Sequence, residues 1–72
     1  MPAYTAAFHR ADESEPFHTW RPYTAIDDHD AAALVRHAII RARMKGGTLA
    51  AATRYTVREV GTDPAHTVEG TI

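Results

Sequence analysis

The sequence predicts a small α+β domain of ββαββ order, with one helix packed on a three- to four-stranded antiparallel sheet, and three observations predict it. Both ends of the chain alternate apolar and polar residues with period two, one capped amphipathic stretch fills the middle, and a Gly-Gly pair divides that stretch from the second alternating run. A helix laid across such a sheet buries the apolar faces of both. With 72 residues there is room for a single domain spanning 1–72. A chain of this size buries roughly 60–65% of the surface its unfolded form exposes, so its stability is marginal.

Tyr4, Ala6 and Phe8 alternate with Thr5, Ala7 and His9, which makes residues 3–10 the first strand. The polar run Ala11 to Pro16 is a loop, and residues 17–26 (FHTWRPYTAI) resume with the aromatic and β-branched side chains of a second strand. Pro22 cannot donate to a ladder, so this strand belongs at a sheet edge or is broken there into two short pieces. Asp27, Asp28 and Asp30 precede AAALVRHAIIRARMK, placing acids at the first turn of a helix and bases at its last, where both complement the dipole. Asp27 or Asp28 supplies the N-cap, Gly46-Gly47 the stop, and a helix of about 18 residues is roughly 27 Å long. Ala31, Leu34, Val35, Ala38, Ile39 and Ala42 form its core face. Residues 48–52 read equally as helix or strand. Residues 53–60 then form a strand with Tyr55 and Val57 on one face, Gly61-Thr62-Asp63-Pro64 a turn, and residues 66–72 a last strand with Val68, Gly70 and Ile72 opposite Thr67, Glu69 and Thr71.

Composition narrows the function. There is no cysteine, which excludes disulfides and thiolate metal sites. The first residues lack a basic segment followed by an apolar one, and no run approaches the roughly 18–20 apolar residues of a membrane span, so a soluble, cytoplasmic protein without a membrane partner is expected. A formal net charge of −1 and a pI near 6.5 argue against a strongly basic nucleic-acid binder and against a strongly acidic mimic of DNA. That average conceals blocks: Arg36, Arg41, Arg43, Lys45, Arg54 and Arg58 fall in a stretch without a single acid, and the acids crowd the flanks.

Nucleophilic catalysis needs a Ser, Cys, Thr or Lys beside a base held by a third group. Ser14 is the only serine, and its neighbours Glu13 and Glu15 would not activate it. No catalytic residue, cofactor or enzymatic activity is expected. Five histidines, His9, His18, His29, His37 and His66, are the possible metal ligands. His29 and His37 are eight residues apart, about 80° round a helix, where a ligand pair wants i and i+4. His9 and His18 could face each other across a hairpin with Asp12 near its turn. Scattered surface histidines remain the plainer reading, and no metal site is assigned.

The helix face turned away from the core is less ordinary. Arg36 and Arg43 lie on one line with His29, and His37 and Arg41 flank the far side, with Ala33, Ile40 and Met44 between them. Arginine and methionine are enriched at protein interfaces and lysine and glutamate depleted. Arg36, His37, Ile40, Arg43 and Met44 are therefore the candidate residues for binding a protein or nucleoprotein partner. Solvation of the face by its arginines is the bland alternative. A nucleic-acid site would instead use Arg36, Arg41, Arg43, Lys45, Arg54 and Arg58. A third reading, a self-assembling protein or homodimer, would use the strand edge where Trp20 and Tyr23 bracket Pro22.

The succession of Ala3 to Phe8, a strand ending in Tyr23-Thr24-Ala25-Ile26, a capped alanine-rich helix and Arg54-Tyr55-Thr56-Val57-Arg58-Glu59-Val60 resembles the layout of small phage-encoded ββαββ inhibitor proteins of the anti-CRISPR type. The resemblance implies a non-enzymatic inhibitor that docks on a larger nucleoprotein or enzyme and blocks its substrate site. Many such inhibitors are distinctly acidic. This chain is nearly neutral with a basic middle, which turns the expectation from DNA mimicry to contact through the helix face.

Overall fold

The alternation at the start of the chain becomes β1 (Ala3–His9), with Tyr4, Ala6 and Phe8 buried and the residues between them half-buried. The computed structural model describes residues 1–61 and 66–72. After β1 come β2 (His18–Thr24), the helix α1 (Asp28–Lys45), a 3₁₀ turn (Thr48–Ala51), β3 (Arg54–Glu59) and β4 (Thr67–Thr71). One helix packed with an antiparallel sheet is the architecture the sequence predicts, and the sheet has four strands in the order β2-β1-β3-β4. All three pairings are antiparallel. β2 and β3 thus run the same way on either side of β1, and α1 is the crossover between them. Among the described residues no helix is long and apolar enough to cross a membrane.

Pro22 accounts for the place of β2. The strand is an edge and stays in one piece, because the register slips between Tyr4↔Tyr23 and Ala6↔Trp20 and leaves Arg21 and Pro22 together opposite Thr5. Within that bulge the missing N–H costs no ladder bond.

Asp27 is the N-cap: its Oδ1 accepts from Asp30 N at 2.8 Å, while Asp30 Oδ2 accepts from Ile26 N at 3.1 Å. One free amide of the first turn and the amide just ahead of the cap are thereby both satisfied. At the other end Gly46 adopts φ 85 with its N–H donating to Ala42 O at 2.7 Å, a conformation a side chain would strain. The ambiguous stretch after it is neither α-helix nor strand. Ala50 N donates to Gly47 O and Ala52 N to Leu49 O, a tight turn that carries Ala52 into the core. Gly61, at φ 86, opens the turn expected after β3; Thr62, Asp63 and Pro64 of that turn lie outside the described residues.

The core joins Tyr4, Ala6 and Phe8 of β1 and Tyr55 and Val57 of β3 to Ala31, Ala32, Val35 and Ile39 of α1, with Ala25 and Ala52 at its ends. Trp20 stands edge-on to Phe8 (ring centroids 5.1 Å) and to Tyr23 (5.4 Å), so the aromatic side chains of the edge strand shield the core from the side. One part of the expected core face is corrected. Ala32 is buried and Leu34 is 43% exposed, because α1 is rolled toward β3.

Glycine 70 is required by a close approach. It pairs with Tyr55 across β3 and β4, and a Cβ there would stand 2.3 Å from the Tyr55 hydroxyl and 2.4 Å from Cζ. Gly70→Ala therefore displaces the Tyr55 ring and is expected to destabilise by about 1–3 kcal/mol. Asp27→Ala should cost about 1 kcal/mol. Both are checked by urea denaturation, and a Gly70→Ala protein as stable as the wild type would contradict the packing described.

Candidate docking face

What α1 offers outward depends on how it is held inward. Among the described residues, four side-chain hydrogen bonds tie it to β1, β2, β3 and the end of the 3₁₀ turn. Tyr4 donates its hydroxyl to Asp28 Oδ1 at 2.9 Å, and Tyr23 donates to Ala31 O at 2.9 Å, both in the first turns. Further along, Arg36 Nη1 donates to the Tyr55 hydroxyl at 3.3 Å and Arg43 Nη2 to Ala52 O at 2.7 Å. Burying a leucine fully is worth roughly 1.5–3 kcal/mol, of which leaving Leu34 partly outside forgoes a share. A net hydrogen bond contributes about 0.5–1.5 kcal/mol, so four together outweigh it and, with the full burial of Val35 and Ile39, favour the observed roll.

That roll sorts the residues singled out in the sequence. Ile40 and Met44 point outward, 46% and 80% exposed, and His37 lies with them on the surface. Arg36 is half-buried and, with Arg43, is engaged on the helix's own sheet and 3₁₀ turn. Their guanidinium groups serve the fold. In their place the roll brings forward Leu34, Arg41 and Lys45, which line a groove of about 520 Å³ along the helix with His37, Ala38, Ala42 and Gly46. Sequence periodicity assigned Leu34 to the core, and the signal that would have moved it was the small size of Ala31, Ala32 and Ala33, which lets either side of the stripe approach a sheet.

The six basic residues considered for nucleic acid are not brought to one surface. Arg54 and Arg58 alternate with the buried Tyr55 and Val57 and so project from the sheet face opposite α1, while Arg41 and Lys45 flank the helix groove. In register, Arg58 stands between Thr5 and Thr67, and Arg54 between His9 and Thr71. Arg54 also donates Nη2 to Glu13 O.

The histidines are likewise dispersed. His18 pairs with Phe8, its ring 5.7 Å from the phenyl centroid, whereas His9 alternates to the other face and pairs with Arg54; the two therefore do not face each other across the hairpin. His66 Nδ1 meets Asp28 Oδ2 at 2.8 Å, so the Asp28 carboxylate bridges Tyr4 and His66. Among the described residues no three His, Asp or Glu side chains converge as metal ligands. Ser14 is exposed in the β1–β2 loop.

No family model matches the chain, and no similar curated protein or solved structure was found.

The tyrosine contacts give a pH signature. Burial, then the Asp28 carboxylate that accepts its proton, push the Tyr4 phenol up to about 12; burial, then the charge of Asp30, push Tyr23 up to about 12. An unfolded tyrosine ionises near 10. The folded state holds these protons more tightly, so their contribution is fully present below about pH 10 and is lost as pH rises from there toward 12. Urea midpoints measured from pH 8 upward should stay level and then fall over that window, less steeply in Tyr4→Phe. An unchanged slope in Tyr4→Phe would contradict the assignment.

Proposed function

We propose that the chain is a non-enzymatic binding protein that docks on a larger protein or nucleoprotein through the outward face of α1, in the manner of the small phage-encoded inhibitors whose layout it resembles. One observation carries this. A helix whose roll is fixed from within still presents Leu34, Ile40 and Met44 to solvent, Met44 at 80% exposure, around His37 and Arg41. Apolar side chains interleaved with basic ones, on a helix without an acid after Asp30, have the composition of an interface core and its rim.

A second reading has its own support. The sheet face opposite α1 carries Arg54 and Arg58 in rows with threonine and histidine, a pattern suited to phosphate contacts. Among Thr5, Ala7, His9, Arg54, Thr56 and Arg58 on that face there is no Phe, Tyr or Trp on which a base could stack, His9 offering only an imidazole, and Glu69 stands opposite Thr56. The helix face is therefore preferred.

The two readings separate by mutation and salt. Ile40→Asp with Met44→Asp should remove capture of a defined protein partner, weakening it by about tenfold or more, with circular dichroism unchanged. Arg54→Gln with Arg58→Gln should leave that capture intact. If the helix variant binds as before, or the retained species is nucleic acid released steeply by salt, the sheet face is the site.

A further inference from the structure

The groove beside Leu34 has a chemistry more specific than an exposed helix in general. Its floor is one i, i+4 row, Leu34, Ala38, Ala42 and Gly46, and its wall is the adjacent row, His37, Arg41 and Lys45. Three of the four floor positions carry a methyl group or no side chain. A Cβ added at Gly46 would meet nothing within 4 Å, so the floor stays open at the helix C-terminus. A row of small residues lets a second backbone come close, and from Leu34 to Lys45 the floor offers about 16 Å, three turns of a partner helix.

We infer that the groove is the seat of an acidic amphipathic α-helix contributed by the partner, its apolar stripe on Leu34, Ala38 and Ala42 and carboxylates at i, i+4 spacing on His37, Arg41 and Lys45. The inference rests on the helix-face reading and adds the chemistry of the occupant. Charge complementarity selects that occupant. Between Ala31 and Arg58 the chain has no acid to neutralise the wall, and Arg43, the remaining base of the last turn, is committed to Ala52 O. The apolar floor distinguishes such a helix from a phosphate backbone, which would desolvate Leu34 and Ala38 without contacting them.

The test uses the isotope-labelled protein and a synthetic amphipathic peptide with a leucine stripe flanked by glutamates, followed by amide chemical shifts. Saturable shifts are expected at Leu34, Ala38, Ala42 and Gly46. Replacing the peptide's glutamates by lysine should abolish them, and Arg41→Gln with Lys45→Gln should weaken binding by about tenfold, as expected for two rim-to-core charge contacts. Ala38→Leu, which fills the floor, should block binding while thermal melting stays that of a folded protein. Equal binding of the lysine peptide would overturn the inference, as would no shift with the acidic peptide, or the same residues shifting only with single-stranded DNA or with phosphatidylserine vesicles. If the acidic peptide fails while Ile40→Asp with Met44→Asp still loses its partner, the occupant is wrong and the docking face stands. If that variant keeps its partner, the docking face itself is wrong.

Discussion

The Tyr55 ring lies over Gly70 on one side and its hydroxyl accepts from Arg36 on the other, tying the edge strand β4 through β3 to the middle of α1. This stack and its three companions, Tyr4 to Asp28, Tyr23 to Ala31 and Arg43 to Ala52, decide the outward surface of the protein. They can do so because the buried stripe of α1 is made of Ala31, Ala32, Val35 and Ile39. Val35 and Ile39 anchor the stripe, while the alanines on its flanks give a sheet little reason to prefer one flank over the other, since each methylene adds only about 0.8 kcal/mol. The directional bonds break the tie. Their loss would leave the helix free to bury Leu34 and draw the groove inward.

The elements were legible in the sequence because each rests on local chemistry. Pro22 placed β2 at an edge through its missing N–H, Asp27 and the glycine pair bounded α1, and the alternation of Tyr4, Ala6 and Phe8 fixed which face of β1 is buried. The roll of the helix was not legible. Periodicity ranks Leu34 above Ala32 as a core residue by hydrophobicity alone, and the outcome turned on contacts between residues 19 positions apart, Arg36 and Tyr55, and nine apart, Arg43 and Ala52. The same long-range contacts redefined the candidate site. Arg36 and Arg43 look like surface arginines on a helical wheel, yet the fold uses both, while Arg41 and Lys45 on the neighbouring row stay at the groove. Dispersal of the basic stretch has an equally simple cause: β3 alternates, so Arg54 and Arg58 leave on the face that Tyr55 and Val57 do not.

The contacts that hold the helix and the side chains it exposes thus lie on two sides of it. The side toward the sheet and the 3₁₀ turn carries the polar contacts that orient it, and the other carries an apolar floor and a basic wall open to solvent. A domain this small has a thin margin of stability, and exposing Leu34, Ile40 and Met44 draws on it. An interface that covered them would return part of that margin on binding.

The roll of α1 can be measured directly, because the chain has no cysteine to interfere. Ala32→Cys, Leu34→Cys and Met44→Cys would be made singly and the rate of reaction with a thiol reagent compared under native conditions. The structure predicts ready labelling at positions 34 and 44 and labelling slower by about tenfold or more at position 32, limited by local opening. Equal reactivity at 32 and 34, or protection at 34, would mean that the polar contacts do not set the roll and that the groove does not exist in solution.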